Sequence, residues 1–121
     1  MSNLSDNRID ILKIVNNPEG DRDYVVTHKT DEFTFLYPQT DQPCFANVEI
    51  AYHPGDHCLE MMSLKQYLQT FRDEAHYYEA ITNLLLDTLA GRVRPKQMIV
   101  TARFTVRGGI TTVVKASVDN G

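Results

Sequence analysis

Residues 60–91 read EMMSLKQYLQTFRDEAHYYEAITNLLLDTLAG and contain two amphipathic patterns, one after the other. The first half places apolar side chains along one helix face, namely Leu64, Tyr67, Leu68 and Phe71. The second half repeats that spacing with Ile81, Leu84, Leu85 and Thr88. We therefore predict helices over residues 63–72 and 74–89. Asp73 is placed to cap the second helix, and Gly91 is placed to end it.

Strand patterns flank this helix pair on both sides. Before it, residues 24–28 and 33–36 read as strand segments, and residues 46–52 alternate apolar with polar side chains. After it, residues 98–106 alternate in the same way, Gly108 and Gly109 form a turn, and residues 110–118 return as a hairpin partner. The predicted order is ββααββ. Short connections favour an antiparallel sheet with both helices packed on one face, which is an α+β architecture.

Composition limits the class of protein. A chain of 121 residues and 13.8 kDa, 42% hydrophobic and 23% charged, is typical of one globular domain. We divide it into an N-terminal arm (residues 1–22) and a single domain (residues 23–121). A net charge of -4 argues against a nucleic-acid partner, because phosphate binding needs clustered Lys and Arg.

Localisation is predicted from what the chain lacks. No apolar run is long enough to span a bilayer, so we expect no membrane partner. The start, Met1 to Asp6, has neither the basic residues nor the apolar core of a secretory signal. Two cysteines do not make a disulfide framework, so we expect a reducing, cytoplasmic environment.

Three segments carry a family resemblance. They are the loop FTFLYPQTDQPCFA (residues 33–46), the segment EMMSLK (residues 60–65) and the triplet Tyr77-Tyr78-Glu79. In this order they resemble the QueF family of NADPH-dependent 7-cyano-7-deazaguanine reductases over nearly the whole chain after Tyr24. The resemblance implies the tunnelling fold (T-fold), whose subunits join sheets edge to edge into barrels. It also implies a homo-oligomer with purine- or pterin-binding pockets at subunit interfaces.

Glu79 is the principal candidate ligand residue. A guanine-like ring presents two adjacent N–H donors, and a carboxylate accepts both with charge assistance. The resemblance implies this role for Glu79 beside Tyr78, with residues Leu59, Glu60 and Met61 as a second substrate-contact segment. The implied ligand is a small 7-deazaguanine, purine or pterin. The alternative interpretation is an exposed glutamate that a helix N-terminus stabilises.

The resemblance also implies a cofactor, NADPH. Lys65 and Arg107 match the positions that meet the phosphates of NADPH, which require fixed positive charge and hydrogen-bond donors. Met62 occupies a position that is lysine in the family motif. The alternative is that Lys65 lies on a solvated helix face and Arg107 in a hairpin turn.

The loop departs from the family motif at its two chemical positions. The family's nucleophile is a cysteine directly before the proline, and its proton donor is an aspartate after the Gln-Pro pair. Tyr37 and Cys44 occupy these positions and are the candidate catalytic residues. The family reaction begins when a thiolate adds to the nitrile carbon, and a phenol is far less ionised than a thiol at neutral pH. We therefore predict that ordinary reduction is absent or strongly reduced.

Three interpretations of Cys44 remain open. It acts as a relocated nucleophile, it lines a pocket that binds a base without reducing it, or it is an inert packed thiol. A zinc site is a rival hypothesis, because four Cys and His residues fall within a short span: Cys44, His53, His57 and Cys58. Their spacing does not match a known zinc finger, so we assign no metal.

Overall fold

The computed structural model describes residues 8–120. In chain order the elements are β1 (Ile14–Asn16), β2 (Val26–Leu36), β3 (Pro43–His53), β4 (His57–Leu59), α1 (Met61–Gln69), α2 (Tyr78–Val93), β5 (Gln97–Arg107) and β6 (Ile110–Asp119). The long strands form a four-stranded antiparallel sheet in the spatial order β2-β3-β5-β6. This confirms the predicted ββααββ order and the α+β class.

The core lies between this sheet and the two helices. Helix α2 packs against β5 and β6, and α1 contacts β2. Alternate residues of β3 and β5 point into the core and are almost fully buried, namely Val48, Ile50, Tyr52, Met98, Val100 and Ala102. Within residues 8–120, neither helix is long and apolar enough to cross a bilayer.

The beginning of the described chain packs onto the helices. Strand β1 pairs antiparallel with β4. The Leu12 side chain is fully buried in the core. The Leu12 carbonyl accepts a 2.8 Å hydrogen bond from Arg92 Nε, and the Lys13 N–H donates to Ser63 Oγ at 2.9 Å. Residues 1–7 of the predicted arm lie outside the described residues.

The predicted start of the second helix is wrong. Helix α2 begins at Tyr78, with Tyr77 as an N-cap whose side chain makes no capping hydrogen bond. Asp73 therefore does not cap it. The segment before α2 is held out of the helix by β2: the Leu36 N–H donates to the Glu74 carbonyl at 2.9 Å, and the His76 N–H donates to the Leu36 carbonyl at 3.0 Å. We call this pair of hydrogen bonds the Leu36 bridge.

Other boundaries also differ from the prediction. Gly91 lies inside α2, which ends at Val93, and Arg94 adopts the left-handed conformation at φ 52°. Helix α1 ends at Gln69 rather than residue 72. It begins earlier than predicted because the Glu60 carboxylate caps it, accepting 2.8 Å hydrogen bonds from two backbone N–H groups. These bonds lower the pKa of Glu60. The two predicted segments of the first strand form one strand with a bulge between Thr30 and Phe33.

Tyr52 connects β3 to β4 and gives a pH-dependent test of this core. Its hydroxyl accepts a 2.9 Å hydrogen bond from the Leu59 N–H. Burial raises the pKa of Tyr52 to about 12. An unfolded tyrosine loses its proton at about pH 10, so between about pH 10 and pH 12 the folded state binds more protons and stability falls as pH rises.

We therefore expect the free energy of unfolding of the unmodified chain to fall more steeply than that of Tyr52→Phe above about pH 10, by at most about 1.4 kcal/mol per pH unit. Urea denaturation at a series of pH values measures both slopes. Below about pH 9 the variant should be less stable by about 1–3 kcal/mol, because the buried Leu59 N–H loses its acceptor. Parallel pH profiles would contradict this account of Tyr52.

Candidate functional site

A cleft of about 440 Å³ opens where the loop after β2 meets the start of α2. Its lining comes from that loop, from the first turn of α2 and from the β5–β6 hairpin. The lining residues are Tyr37, Gln42, Cys44, Tyr77, Tyr78, Glu79, Arg107, Ile110 and Thr112. The volume lies within the range of small-molecule sites in proteins.

Three tyrosines form the aromatic wall of this cleft. The ring of Tyr37 meets the rings of Tyr77 and Tyr78 edge to face, with centroids 5.8 Å apart in both pairs. Tyr78 in turn stacks on Phe104 at 3.9 Å and is nearly parallel to it. Tyr37 and Tyr77 remain exposed enough to offer ring surface to a ligand. Such surfaces bind flat heterocycles by stacking.

The loop that carries Tyr37 is a tight hydrogen-bonded turn. The Tyr37 N–H donates to the Gln42 carbonyl at 2.9 Å, and the Tyr37 carbonyl accepts from the Asp41 N–H at 3.0 Å. Gln39 and Asp41 have positive φ angles of 73° and 54°. The turn and the Leu36 bridge fix the backbone on both sides of Tyr37, so they orient its ring.

Glu79 lies in the first turn of α2 and is exposed to the cleft. Its backbone carbonyl accepts a 2.9 Å hydrogen bond from the Asn83 side chain. Within residues 8–120, no hydrogen bond or ion pair engages its carboxylate. Both carboxylate oxygens are therefore available to accept hydrogen bonds from a ligand.

Cys44 lies at the base of the cleft and is 2% exposed. Its Sγ is 3.8 Å from the Gln42 carbonyl. Burial raises the pKa of the Cys44 thiol, and the charge of Arg107 and a hydrogen bond with Tyr78 only partly offset this effect. A buried thiol with a raised pKa is a poor nucleophile.

Arg107 belongs to this cleft, where its guanidinium holds the loop. Its Nη1 donates to Gln42 Oε1 at 3.3 Å, and its Nη2 donates to the Pro43 carbonyl. Lys65 lies elsewhere, on α1. The chain therefore does not bring together the two cations that the resemblance assigns to NADPH.

Of the second predicted contact segment, Met61 lines a different groove. Met61 and Lys65 border a groove of about 700 Å³ between α1 and the strands β2 and β3. Met62, also exposed, lies in the same groove. Glu60 caps α1, and Leu59 is buried with its N–H bonded to Tyr52. The predicted site residues thus fall into two groups: Tyr37, Cys44, Tyr78, Glu79 and Arg107 around the cleft, and Leu59, Glu60, Met61 and Lys65 around α1.

In the described part of the chain, no three His, Cys, Asp or Glu side chains are arranged to hold a metal ion, so the zinc hypothesis has no ligand set there. His53 lies 3.3 Å from an Asp23 carboxylate oxygen, and Cys58 lies 3.7 Å from the Tyr24 hydroxyl.

Sequence reasoning missed Ile110 and Thr112 as cleft residues. Their spacing puts both on one side of β6. Only the register with β5, in which Thr112 pairs with Phe104 and Ile110 with Arg107, brings that side to the cleft.

Within the described residues, the fold and the site define an α+β protein whose sheet has two open edges and whose cleft lies at the start of a helix. A crystal structure described as the archaeosine synthase QueF-Like in the apo form has a TM-score of 0.71 with this chain at 21% identity, covering 80% of this chain and 94% of that one. That likeness shows the T-fold.

Sequence comparison shows the family. The model described as QueF-like protein matches residues 43–120. A protein from Thermomicrobium roseum is 45% identical over 87% of this chain and 82% of its own length, and one from Alkalilimnicola ehrlichii is 47% identical over 87% and 81%. Both are named NADPH-dependent 7-cyano-7-deazaguanine reductase, so the cofactor of these relatives is NADPH. This chain belongs to the QueF-like family.

The two cysteines provide a test of the cleft geometry. Cys44 is buried, whereas Cys58 is partly exposed. We expect iodoacetamide to label Cys58 at least about tenfold faster than Cys44 in the folded protein, because reaction requires an accessible thiolate. Peptide mass spectrometry of timed samples measures both rates, and Cys58→Ser is the control for assignment. Faster labelling of Cys44 would contradict this description and favour a nucleophilic role.

Proposed function

We propose that this protein binds a flat guanine-like base, of the 7-deazaguanine, purine or pterin type, in the cleft, and does not reduce it by the route of its relatives. The observation that carries the proposal is the combination of a Glu79 carboxylate with no partner among the described residues and the exposed rings of Tyr37 and Tyr77. The carboxylate accepts from the donor edge of the base, and the rings stack against its face.

The reaction step has no suitable nucleophile in this arrangement. Residue 37 offers a phenol where the family resemblance expects a thiol, and the Cys44 thiol is buried with a raised pKa. The aspartate to which the family resemblance assigns proton donation is also replaced, because residue 44 is cysteine. These features support Cys44 as a packed thiol at the floor of a binding site.

A single chain does not place the two predicted cations where both could bind the phosphates of one NADPH molecule. Lys65 and Arg107 lie in different clefts, Arg107 is engaged by Gln42 and Pro43, and Met62 offers no charge. A phosphate site that combines both cations therefore requires a second copy of the chain, and Met62 would leave that site without the lysine of the family motif. The competing function is NADPH-dependent nitrile reduction, with Cys44 as the nucleophile, and the names of relatives about 45% identical favour it.

A homo-oligomer would unite the two groups of predicted site residues. In the described residues, β2 and β6 each have one neighbour in the four-stranded sheet, so both are open edges. Open edges are usually paired or covered, and pairing between copies extends the sheet. In the proposed assembly, the Glu60 segment of one copy faces the Glu79 cleft of the next. The assembly follows from the family resemblance and from the separation of the two groups within one chain.

Glu79→Gln tests the binding proposal. The glutamine side chain has the same size but no charge. Its NH₂ group replaces one carboxylate oxygen, so a hydrogen-bond donor faces the N–H donors of the base. We expect the Kd for 7-cyano-7-deazaguanine, measured by isothermal titration calorimetry, to rise about 10- to 100-fold. Asp87→Asn, which removes an exposed carboxylate further along α2, is the matched control and should leave the Kd unchanged. Equal affinity of Glu79→Gln and the unmodified protein would contradict the proposal.

A covalent-adduct measurement separates binding from reaction. In the family reaction a thiolate sulfur bonds to the nitrile carbon, the C–N π electrons move to nitrogen, and nitrogen takes a proton, so the protein gains the whole mass of the ligand. We expect no such gain after incubation with 7-cyano-7-deazaguanine and no oxidation of NADPH. We expect the double variant Tyr37→Cys, Cys44→Asp to gain that mass, with Cys44→Asp alone as its control.

Other results would identify the competing function. An adduct on the unmodified protein that disappears in Cys44→Ala would establish Cys44 as the nucleophile. Oxidation of NADPH that requires the nitrile substrate would establish the reductase activity.

A further inference from the structure

The buried side chain of Arg8 reaches the segment that joins the two helices. Its guanidinium carbon lies 4.2 Å from the centre of the Phe71 ring, and its Nη2 forms an ion pair with Glu74 Oε2. Arg8 is 8% exposed. The other carboxylate oxygen of Glu74 lies 3.1 Å from His76 Nε2. One carboxylate thus connects Arg8 with His76, and the Phe71 ring packs between them, 5.9 Å from the His76 ring.

This joining segment also carries the Leu36 bridge. The backbone of Glu74 accepts from Leu36, and the backbone of His76 donates to it. The next residue after Leu36 is Tyr37, and the next residue after His76 is Tyr77. The bridge therefore sets the separation between Tyr37 and Tyr77 in the aromatic wall of the cleft, where their ring centroids are 5.8 Å apart.

We propose that Arg8 is a positioning residue for the cleft. By holding the Glu74 carboxylate and the face of Phe71, it keeps residues 74–76 extended and bonded to Leu36. Arg8 is buried and Glu74 is partly exposed, so removing the arginine leaves a half-buried carboxylate without its opposite charge. Without Arg8, the Glu74 carboxylate turns toward water, the Leu36 bridge opens, and the loop that carries Tyr37 separates from the helix start that carries Glu79.

Hydrogen exchange tests the bridge without any ligand. We expect Arg8→Gln to accelerate exchange of the Leu36 and His76 amides about tenfold or more, measured by NMR, while the Val100 amide in the centre of the sheet is unchanged. Arg92→Gln is the matched control. It removes another arginine that anchors the same N-terminal segment, through the Leu12 carbonyl, and it does not contact Glu74. It should leave both bridge amides unchanged.

Rescue by the conservative variant separates the ion pair from simple packing. Lysine retains the charge opposite Glu74 and loses the flat guanidinium over Phe71. We expect Arg8→Lys to keep the exchange rates of the bridge amides within about threefold of the unmodified protein. If Arg8→Gln does not fold, Glu74→Gln breaks the same ion pair from the other side and should give the same accelerated exchange.

Ligand affinity tests the consequence for the cleft and rests on the proposed function. We expect Arg8→Gln to raise the Kd for 7-cyano-7-deazaguanine about tenfold, and Arg92→Gln to leave it unchanged. Unchanged exchange in Arg8→Gln, or equal exchange in Arg8→Gln and Arg92→Gln, would overturn the role of Arg8 in the bridge. Faster exchange with an unchanged Kd would overturn its role in positioning the cleft. If the unmodified protein does not bind the base, the proposed function fails, and the exchange rates alone decide the role of Arg8.

Discussion

The candidate site depends on the two backbone hydrogen bonds of the Leu36 bridge. They join the end of β2 to the connection between the helices, which are distant in sequence. Because Tyr37 and Tyr77 directly follow the bridged residues, their rings are brought together at one end of the sheet. Glu79 then enters the same cleft as part of the first turn of α2. These bonds pair the N–H and the carbonyl of Leu36 with one short segment, so they hold the two cleft-forming segments in a defined register.

The chemistry available at the cleft follows from which side chain is exposed and which is buried. The phenol of Tyr37 lies at the surface of the cleft. The thiol of Cys44 is almost fully buried beside Tyr78, whose ring stacks on Phe104. The burial that stabilises this aromatic packing also disfavours the thiolate. An arrangement that favours stacking and hydrogen bonding therefore works against nucleophilic attack. Under the proposed function, base binding at the cleft and the absence of the ordinary reaction are two consequences of the same packing.

The helices and long strands could be predicted because their periodicity is local. Positions such as Leu64 and Ile81 repeat at helical spacing, and β3 and β5 alternate cleanly. Asp73 was assigned wrongly because its segment is controlled by Leu36, a non-local pairing that no local pattern contains. For the same reason, the sequence could not show that Lys65 and Arg107 lie in different pockets, because their positions depend on how the sheet and the helices pack. Only the family resemblance predicts that Tyr37, Cys44 and Glu79 belong to one site.

The strength of the proposed hydrogen bonds between Glu79 and a base depends on whether the cleft is open to water, and the proposed assembly would close it. In a single chain the Glu79 carboxylate is exposed, and water competes with a ligand for its oxygens. A charged hydrogen bond discriminates strongly only where water is excluded, because the effective dielectric constant then falls and a mismatched ligand leaves a charge unpaired. Pairing at the open β2 and β6 edges would cover the cleft and supply the excluding wall. Under the proposed function, selectivity for a guanine-like edge therefore requires the proposed assembly, in which Glu79 provides the charge and a neighbouring copy excludes the water.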